Sequence, residues 1–405
     1  MHRFLRYILL SLSVFLMLPL VAQNNTSSPF SCYGLGDIND NVPNSYRAMG
    51  SVGIGMRNRK VICPSQPASI TACDSLTFMF DIAADVMWTH YGDAVGKKNK
   101  ANGNLDYITL QFPIYKRWVA FSAGLMPFSS VGYNISMRDS IKSDYHYNTV
   151  FFGNGGISEV YGGLSVNLFD WVSLGANVYY MFGDVSNSRT VTFDEAEVNS
   201  VVQASETSVS SVRFREGLQL FHTFGKHSFV LGGIFENKRT LRCDYVIAES
   251  TQLDTVWTAE NIAQVPMMFG VGASYTWDNR LTVGFDFSRS YWSQTKNITG
   301  FDELQDRNKY AFGMEYRHNP IGRNYAERMF WRVGCNISDN YVKKITAPDY
   351  MVSIGFGFPL RNAGTVFNAT LEYGHRGSPA MLQENYLRLT INASICENWF
   401  FKRRL

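Results

Sequence analysis

The chain has 405 residues, of which 18% are charged and 15% aromatic, with 37 Lys and Arg against 34 Asp and Glu. Soluble domains average about 25% charged residues, and a chain this close to neutral lacks the basic footprint of a nucleic-acid partner. Beyond the N-terminus no segment reaches 18 consecutive apolar residues, which excludes membrane-spanning helices and leaves strands as the only way across a bilayer.

In chain order the first element is a targeting segment. Arg3 and Arg6 charge a short start, Tyr7 to Val21 is almost wholly apolar, and Val21-Ala22-Gln23 offers a small-residue cleavage point. This predicts a secretory signal peptide over residues 1–22, and its removal leaves the mature chain still nearer to neutral.

Residues 23–74 show no strand period and are rich in Gly, Asn, Ser and Pro, among them Gly34, Gly36, Gly50, Gly53, Gly55, Pro43, Pro64 and Pro67. The stretch is too long for an idle tail and too irregular for a domain of its own. It reads as a hatch filling a barrel lumen, with a disordered periplasmic tail as the alternative. Cys63 and Cys73 lie in or beside it and are free to pair in an oxidising compartment, although spacing does not reveal connectivity. No Cys/His spacing resembles a metal site, and no cofactor is expected.

From about Ser75 the period becomes two. Leu76, Phe78, Phe80, Ile82 and Ala84 alternate with Thr77, Met79, Asp81, Ala83 and Asp85, and Leu281, Val283, Phe285 and Phe287 alternate with Thr282, Gly284, Asp286 and Ser288. Each such segment is a strand with one apolar and one polar face. Fourteen segments emerge, at 75–88, 104–114, 118–137, 157–168, 171–186, 207–222, 227–245, 261–277, 280–293, 308–318, 328–340, 349–360, 365–374 and 385–398. Connections alternate between short ones, such as Tyr115-Lys116-Arg117 and Asp278-Asn279, and long polar ones, such as 138–156 and 187–206. An even strand number, short turns at one end and long loops at the other predict an all-β fold: a 14-stranded antiparallel transmembrane β-barrel over residues 75–405, in the outer membrane. Trp118, Trp171, Trp277 and Trp399 all fall at the short-turn end, as an aromatic girdle should. Cys335 shares a face with Trp331, Val333 and Ile337 and reads as a small lipid-facing hydrophobe.

The third segment carries the clearest break. Pro127 cannot donate to a ladder and belongs at an edge, an end or a bulge, while Gly124 and Gly132 make the flanking backbone easy to bend. Alternation turns Met126 and Phe128 inward on that strand, and Tyr179 and Met181 inward on the fifth. Two readings stand for these four: a hydrophobic ligand-lining surface, or packing against the hatch. Inward Asp286, Glu315, Arg317, Arg332, Glu372 and Arg388 read as a charged network that docks the hatch. The histidines fall mostly in loops or at strand ends, no nucleophile, base and orienting group assemble from spacing, and the chain is not expected to be an enzyme.

Several motifs resemble a known family. Ser28-Pro29-Phe30-Ser31-Cys32-Tyr33-Gly34-Leu35-Gly36-Asp37 and Arg47-Ala48-Met49-Gly50-Ser51-Val52-Gly53-Ile54-Gly55 are similar to the mature start of FadL/TodX-type outer-membrane transport proteins of the Bacteroidetes branch. Gln66-Pro67-Ala68-Ser69, Asp74-Ser75-Leu76-Thr77-Phe78 and Phe128-Ser129-Ser130-Val131-Gly132-Tyr133 add to the resemblance. Relatives often carry Asn-Pro-Ala in the hatch, where this chain has Gln66, Pro67 and Ala68. The resemblance implies a 14-stranded barrel with an N-terminal hatch, used for uptake of long-chain fatty acids and other hydrophobic compounds. It also implies a kinked third strand that opens the wall sideways, so that Gly124, Pro127 and Gly132 would form a lateral gate; an ordinary bulge is the plainer reading of Pro127. The partners expected are a hydrophobic small-molecule ligand, outer-membrane lipid and the barrel-assembly machinery. A second function stays open, that of a non-transport barrel acting as a partner or shuttle in secretion or surface assembly.

Overall fold

A computed structural model describes residues 26–92, 96–141, 145–194, 199–250, 255–261, 263–296, 303–345, 347–360, 364–377 and 382–398. The signal segment and the aromatic cluster Trp399-Phe400-Phe401 lie outside these residues.

The period-2 segments form fourteen barrel strands. In order they are β1 (Thr77–Gly92), β2 (Lys97–Tyr115), β3 (Val119–Ile141), β4 (Tyr145–Phe169), β5 (Val172–Phe193), β6 (Val201–Phe224) and β7 (His227–Glu236), then β8 (Met268–Trp277), β9 (Leu281–Ser290), β10 (Arg307–Tyr316), β11 (Phe330–Ser338), β12 (Asp349–Pro359), β13 (Val366–Gly377) and β14 (Gln383–Asn398). Each pairs antiparallel with its neighbours, and β14 returns to β1 from Thr77↔Asn398 to Gly92↔Gln383, which closes the sheet. The faces are inverted relative to a soluble barrel. Ile391 is 55% exposed while its neighbours Thr390 and Asn392 are buried, as a strand between lipid and a polar lumen requires.

Tight turns close the short end, with Lys116, Asp278 and Asn279 at positive φ of 49°, 49° and 51°, the twist that two- and three-residue hairpin turns demand. The other end departs from expectation. Residues 138–156 and 187–206 continue largely as strand, making β3, β4, β5 and β6 22 to 25 residues long, whereas about ten suffice to cross a bilayer. They carry no continuous apolar face because they rise beyond the lipid, so they lack the pattern that marks a membrane strand. The 227–245 segment breaks at Asn237, and Cys243–Ser250 instead forms a hairpin with Thr255–Glu260 that pairs along β6.

The closure has one lateral seam. The β2–β3 ladder climbs from Tyr115↔Val119 and ends at Ile108↔Leu125. Above it, β2 pairs with β1 alone, and β3 pairs with β4 and, at Ser129 and Ser130, with Ile38 and Asp37 of a two-residue strand from the N-terminal segment.

Residues 26–76 enter the barrel as short turns of helix, Pro29–Cys32, Asn44–Arg47 and Pro67–Ala72, joined by irregular chain. Cys63 packs with Val42, Tyr46 and Met49, and Cys73 with Ile62, Ile70 and Met79, so the two sulfurs sit in separate clusters and all six cysteines are free thiols. Burial pushes the Cys63 thiol up to about 11, against a weaker pull from Ser65. Cys335 is exposed on the outer wall.

Candidate functional site

The lumen is the place where chemistry-bearing side chains converge, and its occupant is the chain's own N-terminus. Pro67 starts a 3-10 turn at a position where its missing N–H costs nothing, and Gln66 caps it by accepting from Ala68 N. The Gln66 amide also donates to Ile54 O at 2.9 Å. The Ala68 carbonyl accepts from Arg57 at 3.0 Å and from Ser173 Oγ on β5 at 2.8 Å. Gln66, Pro67 and Ala68 are therefore a buried corner bound to the wall.

Asp286 on β9 accepts three successive backbone N–H groups, from Gly53 at 2.6 Å, Ile54 at 2.7 Å and Gly55 at 3.0 Å. Such a row of amides is a nest for an anion, and it meets the need of a buried carboxylate for partners. Arg47 lies 2.9 Å from Asp106 and 4.0 Å from Glu372, which in turn lies 3.7 Å from Arg388. Burial works against the Arg47 charge, but Asp106 and Glu372 outweigh it and hold the guanidinium above its ordinary value. Asp40 pairs with Lys309 at 2.6 Å and Arg307 at 3.3 Å. Burial alone would raise its carboxyl, yet these two cations hold it well below the usual carboxylate range. Higher still, Arg376 bridges Asp37 and Asp349.

Wall glycines admit the segment's backbone at close range. A Cβ on Gly355 would lie 2.5 Å from the Ala48 Cβ, and one on Gly272 would lie 2.5 Å from Gly55 N. Gly175, Gly313 and Gly334 likewise leave room for Pro67, Met49 and Gly50.

A second charged cluster was not anticipated. Arg213 on β6 donates to Glu159 on β4 at 2.7 Å and to Glu236 on β7 at 2.6 Å, and Arg215 bonds Glu236 as well. Asn41, held at a φ of 53°, donates to Glu159 at 2.6 Å, and Arg213 sits 4.1 Å above the Tyr179 ring. The available signal was the inward register of Arg213 and Arg215 between outward Val212, Phe214 and Leu218.

The four proposed lining residues are brought together in pairs only. Met126 and Tyr179 share a cluster with Tyr107 and Tyr161, whereas Phe128 and Met181 join Leu35, Trp292 and Tyr341 in an apolar roof. The Tyr179 hydroxyl donates to Pro64 O at 2.8 Å, which is packing against the N-terminal segment. Of the gate residues, Pro127 pairs with Ser158 at a one-residue register shift, Gly124 lies within the regular β2–β3 ladder, and Gly132 N donates to Ser31 Oγ at 3.0 Å. Of the six inward charges, Asp286 and Glu372 face the segment directly, while Arg332 pairs with Glu315 at 2.7 Å and Arg317 turns to Asn279 O. Two of the cavities left among the described residues border these charges. One of about 170 Å³ is lined by Arg47, Asp85, Glu372, Arg376 and Arg388 and reaches Leu105 and Pro127 at the seam. The other, of about 120 Å³, is lined by Phe128, Arg213, Glu236, Lys309 and Trp292.

This closed sheet with inverted faces defines an outer-membrane β-barrel of the FadL/TodX type. Its fold is similar to the toluene transporter TbuX of Ralstonia pickettii, with a TM-score of 0.59 and 13% identity over 88% of this chain and 98% of that one. A Pseudomonas aeruginosa FadL homologue gives 0.61 and 12% over 91% and 100%, and the P. putida toluene transporter TodX gives 0.56 and 14% over 92% and 100%. No curated protein matches the sequence significantly. The chain belongs to the BamG family, whose model matches residues 4–405.

Proposed function

We propose that this barrel is a non-catalytic structural partner of the outer-membrane barrel-assembly machinery, the association that the family description BamG suggests, with residues 23–74 as a fixed plug. We also place it in the Bacteroidetes branch, on its N-terminal motifs. One observation carries the functional reading: the N-terminal segment is bonded to opposite sides of the lumen by buried and half-buried charges. Asp286, Asp106 and Arg376 each hold it through a separate bond. Breaking one partner of a buried pair costs about 3–5 kcal/mol, so clearing a conduit would require several such losses together. The larger space left is lined chiefly by guanidinium and carboxylate groups, which disfavour an apolar solute, while the smaller one sets Phe128, Ile234 and Trp292 beside its charges. Depletion of the protein should lower the levels of other outer-membrane barrels, and the tagged chain should co-purify with assembly subunits. Unchanged barrel levels on depletion would overturn the reading.

A second reading, uptake of hydrophobic compounds with lateral release, is favoured by the seam. The ladder stops at Ile108↔Leu125 and Pro127 lies just above the stop. A hydrophobic solute gains about 0.8 kcal/mol per buried CH2, so a sideways exit into lipid suits it. A disulfide tying β2 to β3 above Leu125, with the barrel still assembled, should then abolish uptake of a labelled long-chain fatty acid; full uptake would exclude this route.

A further inference from the structure

The short-turn end has one connection unlike the rest. Its fully described neighbours are residues 116–118, 170–171, 225–226 and 278–280, whereas β10 and β11 are joined by residues 317–329. This excursion is built rather than slack. Asn319 N donates to Glu327 O at 2.9 Å across its base, and Gly322 N donates to Asn319 O at 3.2 Å, closing a turn with Pro320 at its first central position. Asn319 Oδ1 accepts from Ile321 N at 3.2 Å, and the Asn324 amide donates to Glu327 at 2.8 Å.

At its tip Ile321 is 92% exposed, the highest exposure of any large apolar side chain among the described residues. Around it stand exposed Arg323 and Tyr325, and Arg328 lies 5.5 Å from the Tyr325 ring. The adjoining β8–β9 turn adds positive charge: Arg317 N donates to Arg280 O, and Lys226 and Arg280 share the carboxylate of Asp278. A hydrogen-bonded turn that presents an isoleucine within seven residues of two arginines and a tyrosine has the composition of an interface anchor, and its prior order lowers the entropic cost of docking. The girdle tryptophans Trp118, Trp171 and Trp277 sit at strand ends, where interface lipid is met. Ile321 lies instead in the middle of a connection, among guanidinium groups.

We propose that residues 319–328 form a docking knob for a periplasm-facing protein whose surface offers an apolar pocket with an acidic rim. This rests on the assembly-partner reading and specifies the partner's chemistry: the pocket receives Ile321, and the carboxylates meet Arg323 and Arg328. The test is co-purification of the full-length tagged barrel from outer membranes, with assembly subunits identified by mass spectrometry. Ile321→Asp should lower their yield about tenfold or more. The double variant Arg323→Glu/Arg328→Glu should lower it several-fold and remove its salt dependence, while both barrels keep normal heat-modifiable migration on gels. In parallel, Ile321→Trp should fluoresce without quenching by brominated phospholipid. If the wild-type chain recovers no assembly subunits, the assembly reading falls and the knob with it. If wild type recovers them and the variants do so equally, the knob alone is wrong. Quenching of the tryptophan by brominated lipid would make the tip a membrane anchor and would also overturn the proposal.

Discussion

The lumen wall holds the N-terminal segment in two different ways. From β5 round to β11 close backbone approach dominates, across Gly175, Gly272, Gly313 and Gly334, with Asp40 paired to Arg307 and Lys309 on β10 as well. From β13 round to β2 the contact is side chain to side chain: Arg47 with Asp106 and Glu372, Asn44 with Asn392, and Asp37 with Arg376. Backbone contact tolerates no added atom and sets position. Ion pairs reach over 2.5 to 4.0 Å here and can lengthen or exchange partners. The adaptable side is also the side with the seam and the larger cavity, so any movement this barrel makes is expected there.

Four perturbations compare the close backbone contacts with the charged ones. Arg213→Ala leaves the buried Glu159 without its cation, while Glu236 keeps Arg215, and should cost about 3–5 kcal/mol, read as a lower urea midpoint of the refolded barrel. Gly334→Val forces a side chain into Gly50 N and Met49 and should cost about 3 kcal/mol or prevent assembly, seen as loss of heat-modifiable migration. Asp286→Ala leaves three amides without their acceptor, and about 2–3 kcal/mol of destabilisation is expected; protease access to the Gly53–Gly55 turn should rise in step. The last perturbation is acid. Because the Asp40 carboxyl is held below its ordinary value, its pair with Lys309 and Arg307 stabilises fully above the ordinary carboxylate range. That contribution is lost as pH falls through this range toward the depressed value. Asp40→Asn should therefore lower stability modestly at neutral pH, flatten the acid limb of the profile and leave the low-pH end nearly unchanged. A glycine variant as mild as the Asp40 variant would erase the contrast between the two kinds of contact.

Much of the wall was legible in advance. Leu281, Val283, Phe285 and Phe287 announce an outward face because lipid demands apolarity at every second position, and all ten residues of β9 pair as that alternation requires. The upper parts of β3 to β6 were not legible, because above the membrane neither face is constrained to be apolar. Pro127 marked a true irregularity, but the seam beside it depends on where β2 stops pairing, and no residue on β2 signals that. Asp286 could be assigned to the lumen by alternation; that it receives the amides of Gly53, Ile54 and Gly55 could not. The Glu159–Arg213–Glu236 cluster was missed because each member sits on a different strand and is unremarkable alone.

By itself, then, the sequence determined the strand number, the inside-out alternation and the end with short turns, since these are local demands that lipid imposes on each strand separately. Only the tertiary structure decided where the N-terminal segment lodges, which charges hold it, where the wall parts and that one turn carries an exposed isoleucine. Those features rest on pairings between residues far apart in the chain, such as Gly53 with Asp286 or Asp37 with Arg376, and no periodic pattern encodes a partner at that distance.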